Sequence, residues 1–228
     1  MSSWSRRAAG AAAITAALLA ATTPGVQAQE PALNWDNYDP VTLTTDVAEP
    51  IDLAVMPDLK VLHTARNGQI RLTDPVAGTT KVVNSFDVYT SGEQGMQTVS
   101  LDPDFANNRW VYLYYAPTKM DAPYPEQVPT GNAPGTLPAG ETEAYWDRWK
   151  GYMVLSRLRW DPAAQALDLT TKQDIIKVEH NRGGGNHVAG DVDWDAEGNL
   201  YLATGDNTGA GAGNAAGYAP INDSPVER

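Results

Sequence analysis

From about Asp46 onward the chain alternates short apolar runs with clusters of Gly, Pro, Asn and Asp. "KVLHTA" (60–65) and "QIRLTD" (69–74) flank Arg66-Asn67-Gly68, and an Asn-Gly pair between two such runs predicts a hairpin. "TTKVVNSFDVY" (79–89) follows as a third run, and "RWVYLYYAP" (109–117) is aromatic and branched enough to predict a buried strand. "YMVLSRLRWD" (152–161), "QDIIKVE" (173–179), "GDVDW" (190–194) and "NLYLATG" (199–205) complete the set. No window carries the 3.6-residue period of a long helix, so the fold class is all-β.

One pattern recurs. "VMPDLKVLHT", "LDPDFANNRWVYLYY" and "DWDAEGNLYLAT" each place a polar turn just before a strand of alternating large residues. Aligning Pro57, Pro103 and Ala196 gives spacings of 46 residues (103 − 57) and 93 (196 − 103), the second about twice the first. Four-stranded propeller blades repeat at roughly 40–50 residues, which points to a β-propeller; a β-sandwich is the alternative. Between strands, Lys119 to Gly140 is Pro-, Gly- and Ala-rich without periodicity. It predicts an inserted loop, about 118–150 with its flanks, that is either a lid or rim or a tolerated surface insertion.

The N-terminus is of another kind. Arg6 and Arg7 precede "AAGAAAITAALLAATTPG" and then Val26-Gln27-Ala28, the layout of a signal peptide cut after Ala28. "SRRAAG" also loosely matches a twin-arginine signal, and the apolar run is short for a membrane span. Residues 1–28 are therefore assigned as signal peptide, 29–45 as linker and 46–228 as propeller, with a secreted or periplasmic destination. Cleavage removes two positive charges and takes the formal net charge from −12 to −14 (−12 − 2). So acidic a chain argues against nucleic acid as a partner. It has no cysteine, which excludes thiol catalysis, Cys-based metal sites and disulfides.

Candidate chemistry concentrates in "HNRGGGNHVAGDVDWDAEGNLYLATGDNT" (180–208). Asp195-Ala196-Glu197-Gly198 suits a type I turn with Gly198 left-handed. That register pairs Trp194 with Leu200 and Val192 with Leu202, all on one face, and brings His187 to the same end of the hairpin as Asp206. A neutral imidazole there serves as a general base, with a nearby carboxylate to orient it. A turn-forming role for both residues is the competing reading. Gly183 to Gly185 are expected to let a flat ligand approach the backbone. "DVDWDAEG" imitates a calcium loop, but Ala196 and Leu202 stand where Gly and Glu are required, so no metal site is assigned here. His63 and His180 are expected to be structural.

At this hairpin, "NHVAGDVDWDAEGNLYLATGDNT" resembles the soluble PQQ-dependent aldose dehydrogenases, the glucose/sorbosone dehydrogenase family of six-bladed propellers. "GEQGMQTVSLDPDFANNRWVYLYYAP" (92–117), "VLSRLRWD" and "GYAPINDSP" extend the likeness from about Asp46 to the C-terminus. The resemblance implies an all-β, six-bladed propeller of which this chain covers only about the first half. A ring must close or leave its edges exposed, so the chain is expected to be a fragment. It also implies that His187 takes the proton of a sugar's C1 hydroxyl while hydride passes to PQQ, with Asp206 supporting it. Glu93, Gln94 and Asn207 are expected to line the cofactor. Calcium is implied too, its ligands and the basic residues around PQQ expected beyond Arg228, together with a sugar substrate and an external electron acceptor. Two departures stand out: Glu93 occupies a place where many members have Gln, and Gln97 one where an apolar residue is usual. The other functional classes a propeller offers here are lactone or ester hydrolysis and non-catalytic carbohydrate binding.

Overall fold

The computed structural model describes residues 35–134, 136–205 and 207. The chain divides into two compact units, Met1–Pro40 and Val41–Arg228. In the first, the described residues contain one 3-10 turn, Trp35–Asn37; the expected signal peptide lies outside the described residues.

In the second unit, Pro50–Val55 (β1), Val61–Ala65 (β2), Gln69–Asp74 (β3) and Thr79–Ser85 (β4) form an antiparallel sheet in chain order. The Asn-Gly hairpin is present: Gly68 has φ 91° and donates its N–H to the Ala65 carbonyl at 2.9 Å. A second antiparallel sheet follows, Met96–Leu101 (β5), Trp110–Tyr115 (β6), Lys150–Asp161 (β7) and Ala166–Asn181 (β8), again in chain order. Between β5 and β6 the turn "DPDFANN" winds one short helix, Phe105–Asn108 (α1). Gly190–Trp194 (β9) and Leu200–Thr204 (β10) pair in the expected register, Trp194 with Leu200 and Val192 with Leu202. Gly198 closes their turn at φ 83°.

β6 explains the layering. Its side chains alternate between two faces, and from Val111 to Tyr115 both faces are buried. Val111, Leu113 and Tyr115 join Leu62, Ile70 and Leu72 of the first sheet in one core. Tyr112 and Tyr114 join Met153, Leu155 and Val192 in a second, against which Trp194, Leu200 and Leu202 pack. Tyr112 meets Trp194 edge-on at 4.9 Å. The second sheet thus lies between the first sheet and the hairpin, three layers deep, which a two-layer sandwich does not provide. Stacked four-stranded meanders are propeller blades, and the chain supplies about the first half of such a ring.

Three features depart from the sequence reading. β1 and β5 carry no clear apolar signal, because Asp52, Gln97, Thr98 and Ser100 interrupt them. Those polar groups connect neighbouring sheets instead. The Asp52 carboxylate accepts the Val99 N–H at 2.9 Å, and burial raises its pKa above the ordinary carboxylate value. Thr64 Oγ1 donates to the Gln97 carbonyl at 3.0 Å, and Thr98 Oγ1 to the Gly190 carbonyl at 2.6 Å. β8 starts at Ala166 rather than near Gln173, as its polar first half pairs along β7. The inserted loop ends in a 3-10 helix, Glu143–Trp149, whose Trp146 and Trp149 are buried with Ala133.

A polar seam joins the end of β8 to the corner before β5. Gln94, fully buried, donates its side-chain amide to the Arg182 carbonyl at 3.1 Å, which turns its Oε1 toward His180 Nε2 at 2.9 Å. His180 Nε2 must therefore carry the proton, so the expectation of a structural role fits its surroundings. Burial, and secondarily the Arg182 charge, pull the His180 pKa down to about 3.

Two predictions follow from this framework. The folded protein keeps His180 neutral, whereas the unfolded chain protonates it below its ordinary value of 6.5. Its contribution to stability is full above pH 6.5 and is lost as pH falls toward 3, at up to about 1.4 kcal/mol per pH unit. Urea unfolding at pH 7, 6, 5 and 4 should show that decline, and His180→Gln should flatten it by one proton; parallel slopes would contradict the assignment. Glycine substitutions separate conformation from space. A methyl at Gly198 meets nothing within 4 Å, so Gly198→Ala should cost about 1 kcal/mol through its left-handed backbone alone. Gly68→Ala should cost clearly more, since its methyl overlaps the Phe86 carbonyl.

Candidate functional site

Two connections carry the chain from the outer strand of one sheet to the first strand of the next, β4 to β5 and β8 to β9. They meet backbone to backbone. Glu93 lies three residues before Met96, where β5 starts, and His187 three before Gly190, where β9 starts. The two candidates therefore hold equivalent positions in successive blades. Contact this close requires glycine: Gly92 has φ 62°, and a side chain there would overlap the Gly185 carbonyl. The Glu93 N–H donates to that same carbonyl at 2.7 Å.

His187 is exposed, and its backbone is left-handed at φ 51°, a region that non-glycine residues enter at a cost. Both its backbone polar groups are held. The N–H donates to Glu93 Oε2 at 2.7 Å, and the carbonyl accepts the Asn207 N–H at 2.9 Å. Gly205 packs flat against that carbonyl, since any β-carbon there would overlap it. Asn207 in turn is 5 % exposed. Its Oδ1 accepts the Asn181 N–H at 2.6 Å, and Asn181 Oδ1 accepts from Gly183 at 2.8 Å.

The structure thus gathers Glu93, His187 and Asn207 into one bonded group with Gln94 directly behind it. Asp206 lies outside the described residues. The expectation for the glycine run is not met at two of its three positions. A side chain at Gly183 would strike Ala133 and the Trp149 ring, and one at Gly185 would press on Gly92. Beside these two glycines the close neighbour is protein. Among the described residues, no group of three or more His, Cys, Asp or Glu side chains is placed to hold a metal ion.

Arg182 is the residue that sequence reasoning passed over. It is fully buried, its Nη2 donates to the Pro117 and Tyr152 carbonyls at 2.7 and 3.0 Å, and its guanidinium lies 4.8 Å from the Tyr89 ring. Burial lowers its pKa to about 10, so it is a cation at neutral pH. Nothing in "HNRGGG" announces this, because its partners come from residues far away in the chain. The inserted loop docks here as well. Ala133 donates to the Gly183 carbonyl at 2.9 Å, Gly131 to Ser91 Oγ at 2.8 Å, and the Tyr89 hydroxyl to the Pro129 carbonyl at 2.6 Å. Of the two readings of the insertion, a rim fixed against both site connections fits these contacts.

Comparison with known proteins bears on the fold and the family. Residues 47–217 match the glucose/sorbosone dehydrogenase family. The aldose sugar dehydrogenase YliI of Escherichia coli K12 is 28% identical over 181 residues, which are 74% of this chain and 39% of that protein. A crystal structure of a glucose dehydrogenase superposes with a TM-score of 0.54 at 25% identity, covering 73% of this chain and 40% of that one. The PQQ-bound aldose sugar dehydrogenase of Streptomyces coelicolor shares the fold, with a TM-score of 0.52 at 19% identity, over 73% of this chain and 41% of the other. The chain spans about two fifths of the length of these proteins. With three quarters of its residues inside the matched region and its sheets stacked as theirs are, the chain belongs to the glucose/sorbosone dehydrogenase family.

Proposed function

We propose that this chain carries the proton-accepting side of an exported sugar dehydrogenase that oxidises the C1 hydroxyl of aldoses, with PQQ as the oxidant. The observation behind this reading is His187: an exposed imidazole on a backbone pinned at both its N–H and its carbonyl, at the entry to an inner strand. A base so placed is oriented before substrate arrives, which is where an enzyme gains most from a fixed group. His187 accepts the C1 hydroxyl proton as the C1–H bond breaks and the C1–O bond gains double-bond character. Asp206 is proposed as its electrostatic partner. Gln94 and Asn207, both buried with side chains bonded to protein, support the loops from behind, while His187 and Glu93 face outward.

PQQ is a flat quinone bearing three carboxylates. Of the residues described, the exposed Glu93 and His187 are proposed for its substrate side. The described residues do not supply cations for its carboxylates: Arg182 is enclosed, and Arg66 donates to the Thr90 and Gly92 carbonyls and to Glu49. Those contacts and the calcium ligands are proposed to come from the part of the family's fold that this chain does not span. When bound, PQQ supplies a two-electron acceptor for the hydride leaving C1. Export is proposed from the N-terminal sequence; among the described residues no helix is long and apolar enough to cross a membrane.

Two experiments test this reading. In the complete enzyme, supplied with PQQ, calcium, an aldose and an artificial electron acceptor, His187→Gln should lower kcat by about 10²–10⁴-fold. Its urea midpoint should stay near wild type, because His187 is exposed; near-normal turnover would remove the histidine from the mechanism. N-terminal sequencing of the exported protein should begin at Gln29, and an intact Met1 on the exported chain would refute the cleavage assignment.

A further inference from the structure

We infer that Glu93 is a positioning residue for His187, a carboxylate clamp that holds the histidine's backbone in its left-handed turn. Glu93 is itself fixed at three points. Its N–H donates to the Gly185 carbonyl at 2.7 Å, its carbonyl accepts Gln97 Nε2 at 2.9 Å, and its Oε2 accepts the His187 N–H at 2.7 Å. Gln97 is 2 % exposed, and its own carbonyl is held by Thr64 Oγ1. The two departures from the family pattern therefore form one device. The buried amide of Gln97 steadies Glu93, and Glu93 steadies His187. A charge-assisted bond to a single backbone N–H is stronger than a neutral one and suits a residue at φ 51°, where the turn is not self-sustaining. Glu93 and His187 stand at equivalent places in successive blades, so the clamp also passes the register of one blade to the catalytic loop of the next.

The catalytic part of this inference rests on the functional reading above; the structural part does not. The first readout is amide hydrogen exchange at His187, which needs neither cofactor nor turnover. Glu93→Ala should speed that exchange by about tenfold or more. Glu93→Gln, which keeps an acceptor oxygen at the same reach but loses the charge, should fall between wild type and Glu93→Ala. Gln97→Met should give a smaller change in the same direction. In the PQQ-loaded complete enzyme, Glu93→Ala should lower kcat by about tenfold, with PQQ affinity and the sugar KM within about threefold of wild type. Unchanged exchange in Glu93→Ala, or Glu93→Gln as fast as Glu93→Ala, would overturn the clamp. Lost PQQ affinity with unchanged exchange would make Glu93 a cofactor contact instead. A wild-type enzyme without sugar turnover would defeat the functional reading, and the exchange result would then decide the clamp alone.

Discussion

The structure depends on the middle strands of the second sheet, β6 and β7, being buried on both faces. Along β6, Val111, Leu113 and Tyr115 face one layer and Tyr112 and Tyr114 the other. Sheets packed face to face lie about 10 Å apart, so a strand covered on both sides fixes the distance between the layers flanking it. The aromatic residues matter as much as the aliphatic ones. Tyr112 offers an edge to Trp194 and still places its hydroxyl 3.0 Å from Asp102 at the turn before β6. Burying an aromatic body while its polar end finds a partner is the usual economy of tyrosine.

Apolar stacking sets the spacing but not the register, since side chains of similar size slide past one another at little cost. Register comes from polar groups on the first strand of each sheet and on β2. Asp52 reaches Val99, Thr64 reaches the Gln97 carbonyl, and Thr98 reaches the Gly190 carbonyl. Each is a directional bond in a place where an unmade one is expensive. The connections entering β5 and β9 inherit this register, and so Glu93, at the end of one, comes within 2.7 Å of the His187 N–H in the other. The site is a by-product of how the blades are indexed.

That division of labour explains what could be read from the chain. The hairpin of β9 and β10 was legible to the residue, because apolar alternation and an Asp–Gly turn leave one register open. The propeller was legible in the recurrence of turn-then-strand. β1 and β5 were not, because the groups that index the blades, Asp52, Gln97 and Thr98, are polar and erase the strand signal locally. Within the site, His187 stood out by its position in the hairpin and by family resemblance. Its backbone conformation and its bond to Glu93 were invisible, because both depend on residues 94 positions apart in the chain. The glycine run misled for a related reason. A glycine tells that something comes close, and here that something is Trp149, Ala133 and Gly92 rather than a ligand.

Arg182 shows how an insertion can be added beside such a site without loosening it. Closing a longer loop costs only slowly increasing entropy, so length is not the difficulty; controlling the feet of the loop is. Nη2 of Arg182 binds the Pro117 carbonyl, where the insertion leaves the sheet, and the Tyr152 carbonyl, just after it returns. One guanidinium thus ties both feet together from the residue that begins the connection carrying His187. A buried cation without a carboxylate partner is costly, and carbonyl oxygens with the Tyr89 ring offset only part of that cost. The cost is coherent with the geometry, because no neutral side chain of that length reaches two carbonyls from one atom. Leu or Met in its place would fill the volume and leave both feet without a shared anchor. The charge is retained for its directional bonds, and the rim it secures is the wall against which the His187 connection is held.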